Sequence, residues 1–337
     1  MTGLALLSSL LVGSALIVAA GANPLHAFLS LFQAAFSCAG PGGMCALLTT
    51  LQYATPLIFS GLSALVAFRA GLFSIGQLGQ MVVGAAVATW LAGTAPLSGP
   101  LLVALALAGA MITAGLWGAI PGLLKTQLGI HEVITTLLLN PIALTLVAPL
   151  GWGRVPDAAR LPPLVATTKL NVGFILALSA VVLIYLLLWR SVPGYQLRMA
   201  GQAALFARFG GISPGRAIVG AMILSGALAG LGGAVEVLGV HYRFVTNFSA
   251  IDQFDGIVVA LVGQLHPLGI ALSAILFGGI RLGAVNGLQL RASVPREAGS
   301  ALIALMVLFV AAPQLYQSLL GRFTVGKQKI RSNTELH

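Results

Sequence analysis

The chain has 337 residues, of which 58% are hydrophobic and only 7% are charged. A soluble domain carries about 25% charged residues, so this composition excludes most water-soluble proteins and makes lipid the main solvent of the chain. The formal net charge of +10 comes from basic residues that stand singly between apolar runs. We therefore interpret these residues as signals that set the orientation in the membrane, and not as a nucleic-acid-binding face.

Ten apolar stretches predict membrane spans, each ideally about 20 residues long. In chain order they cover about residues 4–20, 51–68, 72–91, 101–124, 133–150, 172–189, 217–240, 254–262, 268–282 and 301–320. We therefore predict an all-α polytopic membrane protein with one transmembrane domain over residues 1–320 and a basic cytoplasmic tail over residues 321–337. An interfacial helix with a loop, rather than a span, is expected between Asn23 and Thr50.

Lysine and arginine mark the cytoplasmic loops of membrane proteins. If the ten spans alternate, most of these residues fall on one side of the membrane, and both termini are cytoplasmic. The exceptions lie in outer loops, namely Arg154, Arg160, Lys169, Arg243, Arg291 and Arg296.

Polar residues inside apolar stretches need a partner or a water-filled path. Ser74, Gln77 and Gln80 recur every three residues in the third stretch, so they share one helical face. Two interpretations are equally supported: the face lines a substrate path, or its amides form hydrogen bonds to a neighbouring helix. We add Asn140 and Asp255 as candidates for the path. Two further acids, Glu132 and Glu236, are interpreted as structural, with Glu236 expected to pair with Arg243.

Small residues and cysteines carry further expectations. Gly226, Gly230 and Gly233 share a helical face and predict close helix packing. The pair Cys38 and Cys45 allows either a disulfide or two free thiols.

The eighth and ninth stretches are expected to be half helices, because a short apolar run is followed by His266 and Pro267. The eighth begins FDGIVVALVG at Phe254 and the third begins FSIGQLGQMVVG at Phe73. This weak likeness suggests an inverted repeat of spans two to five and seven to ten.

Known catalytic motifs are missing from the sequence. It contains no phosphate-binding GxxxxGK[ST] loop, no HExxH and no CxxC pair. We therefore expect a protein that is not an enzyme, that needs no cofactor or metal, and that depends on another chain if ATP is used.

The longest cytoplasmic stretch, the coupling loop at about residues 190–217, contains an amphipathic helix candidate over residues 201–209. Its apolar face predicts docking on a protein, and a position on the lipid surface is the alternative. The segment GQAALFARFGGI, starting at Gly201, resembles the coupling loop of permease subunits of ATP-binding-cassette (ABC) importers. The resemblance is to the group that serves branched-chain amino acids, ribose and nucleosides, and it implies that Gly201, Ala204, Arg208 and Gly211 couple to the ATPase.

Three further segments resemble the nucleoside-type branch of that group. They are the run of about forty residues from Gly226 that includes EVLGVH and FDGIVVALVG, GLFSIGQLGQM from Gly71, and HEVITTLLLN from His131. The chain departs from that branch at four positions. Ser74 stands where the family usually has Asn, Leu78 where it has Glu, and His131 where it has Asn. Tyr242 stands where the family often has Gly.

The resemblance implies a permease in the bacterial inner (plasma) membrane, surrounded by lipid. Its partners would be ABC ATPase subunits, a second permease subunit (identical or different) and an extracytoplasmic solute-binding protein. Because Ser74 and Leu78 make the third stretch less polar, we expect a ring-containing substrate such as a nucleobase, nucleoside or flavin. The alternatives are an ABC permease for a sugar or other solute, and a secondary transporter coupled to ions through Glu236 or Asp255.

Overall fold

The computed structural model describes residues 2–19, 21–38, 45–148, 153–166, 168–245 and 254–291, with short pieces at 294–295, 297–298, 300–301 and 304–305. Within these ranges the chain is mainly helical. The helices are α1 (Thr2–Ala19), α2 (Pro24–Phe36), α3 (Ala46–Arg69), α4 (Gln77–Thr94), α5 (Pro100–Leu128), α6 (Glu132–Val147), α7 (Gly173–Arg190), α8 (Val192–Gln202), α9 (Ala204–Phe209), α10 (Pro214–Glu236), α11 (Asp255–Val262) and α12 (Pro267–Gly283). The longer connection between α6 and α7 holds the 3-10 turn Asp157–Ala159. Two π-helical segments, Val237–His241 and Ala284–Gln289, extend α10 and α12.

Five helical segments in the described ranges are long and apolar enough to cross a membrane. They are Ala46–Arg69, Pro100–Leu128, Gly173–Arg190, Pro214–His241 and Pro267–Gln289, and the helices Pro24–Phe36 and Glu132–Val147 are apolar but shorter. The predicted all-α, polytopic architecture is confirmed. Most of the predicted last span, residues 301–320, and the predicted tail, residues 321–337, lie outside the described residues.

Proline explains where several helices begin. α2, α5, α8, α10 and α12 each carry proline in their first turn, where its missing N–H has no helical partner to lose and its fixed φ suits the helix. At the other end of α5, Gly129 adopts a left-handed conformation with φ of 69° and terminates the helix.

The centre of the bundle is α10, which packs on α5 and α4 along a glycine seam formed by Gly226, Gly230 and Gly233. A methyl group at Gly226 or Gly230 would overlap Ala114 of α5, and one at Gly233 would overlap the Met81 carbonyl of α4. The predicted close packing at these glycines is confirmed.

The segment between the first two predicted spans contains the helix α2 followed by a loop. α2 packs along α12 and its π-helical extension, and its predicted interfacial position stays a prediction. Methyl groups at Gly279, Gly283 and Gly287 would meet Phe36, Leu31 and Ser30 respectively, so the glycines spaced every four residues admit α2 in an antiparallel direction. Between α2 and α3, Cys38 and Cys45 form a disulfide.

Two interruptions of regular helix shape the rest of the molecule. Residues 71–76, which we name the first break, are non-helical, so α4 begins at Gln77 and not at residue 72 as predicted. Residues 263–266, the second break, separate the eight-residue α11 from α12. The eighth stretch is therefore a half helix as predicted, whereas the ninth is not, because α12 with its π-helical extension is 23 residues long and apolar enough to cross a membrane. The inverted repeat stays a prediction, because most of its last span lies outside the described residues.

Candidate functional site

Polar side chains on one face of α6 support the first break. Glu132, Thr136 and Asn140 are spaced four residues apart, which places them on one stripe of the helix, and we name them the polar ladder. The backbone N–H of Phe73 donates to Glu132 Oε1 over 3.2 Å, and that of Ile75 donates to Thr136 Oγ1 over 3.1 Å. Non-helical backbone at membrane depth needs such partners, since lipid offers none.

Asn140 closes the ladder with both ends of its amide. Its Oδ1 accepts from the Gly79 N–H over 2.9 Å, and its Nδ2 donates to the Ile75 carbonyl over 2.7 Å. The side chain is 1% exposed. Asn140 therefore joins the end of the first break to the first turns of α4.

Glu132 has a second partner at the same end of the bundle. Its carboxylate forms an ion pair with Lys125, in the last turn of α5. The structural interpretation of Glu132 is thereby supported, because this one side chain ties α5, α6 and the first break together.

Ser74, Gln77 and Gln80 do not all lie on one helical face, since Ser74 belongs to the first break and α4 begins at Gln77. All three are buried, and Gln77 Nε2 donates to the Ser74 carbonyl over 3.1 Å. The Oε1 atoms of Gln77 and Gln80 are buried without a hydrogen-bond partner among the described residues. A buried unpaired acceptor costs about 1–3 kcal/mol, which marks these two amides as a place of function or movement.

Gln80 lies between α4 and α5. A methyl group at Gly118 of α5 would come within 3.2 Å of Gln80 Nε2, and one at Gly76 within 3.4 Å of the same atom. Glycine at both positions thus provides the space that this amide occupies.

The fifth candidate for the path, Asp255, lies elsewhere. It begins α11, is 7% exposed, and its Oδ2 is 2.5 Å from Nη2 of Arg281 on α12. Sequence analysis did not identify Arg281, although a single arginine at the end of an apolar stretch is a signal for such a partner.

The expected pair of Glu236 and Arg243 is wrong. Glu236 instead lies 3.3 Å from His241 Nε2. The cause is the π-helical segment Val237–His241, whose wider turn brings residues five apart into register. Arg243 forms an isolated backbone bridge with Arg154, in the connection between α6 and α7.

The predicted helix of the coupling loop is divided. α8 ends at Gln202, Ala203 has φ of −150° and ψ of 71°, and α9 begins at Ala204. Of the four predicted coupling residues, Ala204, Arg208 and Gly211 are exposed, whereas Gly201 is partly buried.

α9 also presents a set of apolar side chains that we name the α9 apolar surface. Leu205 is 66%, Phe206 71% and Phe209 82% exposed. Sequence analysis did not single these residues out, although the letters ALFARF in a cytoplasmic loop carry the signal.

A polytopic helical bundle, with polar side chains around interrupted helices and an exposed loop at the same end, defines a membrane transport subunit. The chain belongs to the family of branched-chain amino acid transport system permease components, whose profile matches residues 46–311.

Individual relatives are consistent with this family. The chain is 39% identical to the guanosine ABC transporter permease protein NupP of Bacillus subtilis (strain 168) over 300 residues, covering 83% of each chain. It is 30% identical to the nucleoside ABC transporter permease protein NupB of Lactococcus lactis subsp. cremoris (strain MG1363), covering 95% of this chain and 92% of the relative. It is 29% identical to the glucose ABC transporter permease protein TsgB13 of Haloferax volcanii, covering 96% and 88%. The chain is therefore an ABC transporter permease and a multi-pass membrane protein.

Proposed function

We propose that this permease forms the translocation path of a nucleoside importer in the bacterial inner (plasma) membrane, with both termini cytoplasmic. The observation that carries the proposal is the 39% identity, over 83% of the chain, to a guanosine transporter permease. ATP is hydrolysed by partner ATPase subunits. An extracytoplasmic solute-binding protein delivers the solute, and a second permease subunit, identical or different, completes the path.

The substrate path in this proposal includes Ser74, Gln77, Gln80, Asn140 and Asp255. The two unpaired Oε1 atoms of Gln77 and Gln80 are acceptors, and a guanine ring offers N–H donors along its edge. Asn140 contributes indirectly, because it holds the backbone from which the two glutamines project.

The coupling loop docks on the ATPase through α9. Ala204, Arg208 and Gly211 are exposed beside the α9 apolar surface, and exposed apolar side chains rimmed by polar groups are typical of a protein interface. The interface forms at the end of the bundle that carries the first break.

A sugar is the second candidate substrate, since the glucose transporter relative is aligned over 96% of the chain. The ion-coupled alternative has less support, because Glu236 and Asp255 both have basic partners and the family is one of ABC permeases.

Uptake of labelled guanosine by proteoliposomes that contain the permease with its second permease subunit, its ATPase and its binding protein tests the proposal. We expect guanosine uptake to require ATP, and we expect glucose to be transported poorly. Gln77→Leu or Gln80→Leu should lower guanosine uptake about tenfold, because each substitution removes one Oε1 hydrogen-bond acceptor. Thr89→Val is the matched control on α4, because the buried Thr89 hydroxyl donates only within its own helix, to the Ala85 carbonyl. Faster uptake of glucose than of guanosine would establish the sugar, and uptake that survives ATP removal would establish ion coupling.

A further inference from the structure

We propose that the coupling loop acts on both breaks through two separate contacts, and that Gly71, Gly201 and Trp189 are positioning residues for transport. One contact is the backbone packing of Gly201 on Gly71. The other is the ring of Trp189, which the guanidinium groups of both Arg69 and Arg198 approach. The proposal rests on the proposed docking of the coupling loop to the ATPase.

The first contact joins the last turn of α8 to the start of the first break. A methyl group at Gly201 would come within 2.5 Å of Ala70 C and Gly71 N, and within 2.6 Å of the Arg69 carbonyl oxygen. A methyl group at Gly71 would come within 2.9 Å of Gly201 Cα. The two backbones are thus in direct contact, with no side chain between them that could absorb a displacement of α8.

Gly71 is suited to transmit such a displacement. Its φ of 74° is a left-handed conformation that glycine adopts without the cost other residues incur. Three residues later comes Ser74, and then Gln77 and Gln80 with their unpaired acceptors. A shift of the first break therefore reorients the very amides that lack partners in this conformation.

The second contact joins α8 to the second break. The guanidinium of Arg198, on α8, lies 5.9 Å from the centre of the Trp189 ring, and that of Arg69 lies 5.1 Å from it. Arg69 Nη2 donates to the Leu265 carbonyl over 2.7 Å, and the His266 ring centre is 5.4 Å from that of Trp189. Trp189 thus connects the coupling loop with the turn between α11 and α12.

Attraction to the ring offsets the repulsion between the two arginines. Neither Arg69 nor Arg198 forms an ion pair with a carboxylate in the described part of the chain, and the Nε atom of each is buried without a hydrogen bond there. Two like charges repel, and the tryptophan ring that both approach attracts each of them. Removing the ring separates Arg198 from Arg69 and frees the second break from α8.

Gly201→Ala tests the first contact, because the added methyl group has to displace backbone. Gly220→Ala is the matched control, since a methyl group at that helical glycine of α10 meets nothing within 4 Å. Trp189→Leu tests the second contact, with Trp90→Leu as control, because Trp90 lies near the end of α4 and is 53% exposed. Trp189→Phe keeps a weaker aromatic face and replaces Trp189→Leu if that variant is not recovered from membranes.

Each variant is assembled with its second permease subunit, ATPase and binding protein, and ATP hydrolysis and solute uptake are measured on the same preparation. We expect Gly201→Ala and Trp189→Leu to retain ATP hydrolysis while solute uptake falls about tenfold. The reason is that the ATPase subunits still hydrolyse ATP, but their movement no longer reaches the two breaks of the permease. Both controls should match the unmodified protein. Uptake and hydrolysis that fall in proportion would overturn the proposal, since that result indicates lost docking or misfolding, and so would unchanged uptake.

A second measurement needs no substrate and separates this proposal from the nucleoside assignment. Ser74→Cys supplies a thiol in the first break, while Cys38 and Cys45 are joined in a disulfide. We expect ATP to change the rate at which a small thiol reagent modifies this cysteine, and Gly201→Ala to abolish the change. If guanosine is not transported but the ATP-dependent change is present and is lost in Gly201→Ala, the nucleoside assignment fails and the coupling proposal stands. A change that persists in Gly201→Ala would overturn the coupling through Gly71.

Discussion

The two breaks solve the same problem in different ways. The first break has its backbone bonded by side chains of another helix, namely Glu132, Thr136 and Asn140. The second break is bonded mainly by nearby backbone: Leu265 N–H donates to the Ala260 carbonyl of α11, and His266 N–H to that of Gly263. One side chain, Arg69 of α3, donates to the Leu265 carbonyl. Interrupted helices in a membrane need every backbone group satisfied, and the source of the partner decides what can disturb each break.

The difference assigns distinct sensitivities. The first break depends on the position of α6, so its conformation is coupled to a neighbouring helix and can change when helices move. The second break depends on a tight turn in which Gly263 and Gly269 touch through their backbones. We therefore expect loss of α6 side chains to affect the first break, and backbone crowding or loss of the Arg69 and Trp189 contacts to affect the second.

The largest effect is expected for Asn140→Leu. The substitution leaves the Gly79 N–H and the Ile75 carbonyl without their partner, and two buried unsatisfied groups cost together about 2–6 kcal/mol. The midpoint of thermal unfolding in detergent should fall strongly, or the protein should not accumulate. Thr145→Val on the same helix is the control, because the Thr145 hydroxyl donates to carbonyls of its own helix. A midpoint for Asn140→Leu equal to that of the control would show that the first break does not need the polar ladder.

An intermediate effect is expected for Gly269→Ala. The new methyl group would overlap the Gly263 carbonyl, and overpacking of this kind costs about 1–3 kcal/mol. The same thermal measurement reports it, with Gly220→Ala as a helix control that meets no neighbour. Equal midpoints for the two variants would mean that the second break is loosely packed.

The smallest effect is expected for Gln264→Gly, and it has the opposite sign. Gln264 is exposed and has φ of 55°, which is a left-handed conformation. Because glycine adopts this conformation at lower cost, the substitution should raise the free energy of unfolding by up to about 1 kcal/mol. A small rise of the thermal midpoint is the expected outcome. A fall would indicate that the Gln264 side chain contributes more than its backbone costs.

Much of the fold could be predicted from hydropathy and spacing. The positions of most helices follow from apolar runs and from prolines in first turns, and the glycine seam follows from the spacing of Gly226, Gly230 and Gly233. The start of α4 did not follow. The stretch from residue 72 is apolar enough for a helix, and side chains of α6, about sixty residues away, bond to its non-helical backbone.

The candidate site could be predicted in part from the sequence. Ser74, Gln77, Gln80 and Asn140 are brought together as one cluster, whereas Asp255 is paired with Arg281. The division of the coupling loop at Ala203 was not predictable, because QAALFARF has high helix propensity. Here the packing of Gly201 on Gly71 accompanies a break that local propensity opposes.

Tyr242 illustrates a departure whose meaning only the structure gives. It stands where the resembling family often has glycine, and its φ of 53° explains why glycine suits the position. The Arg160 guanidinium lies 4.5 Å from the centre of the Tyr242 ring. That stacking offsets part of the backbone strain.

The glycine seam limits how this half of the bundle can move. Because α10 meets α4 and α5 with backbone against backbone, rotating any one of the three about its own axis would drive Cα atoms into carbonyl oxygens. Close-packed interfaces of this kind switch between discrete arrangements rather than deforming continuously. A joint tilt of the three helices as one rigid body avoids these clashes, and the first break, which directly precedes α4, is then its hinge.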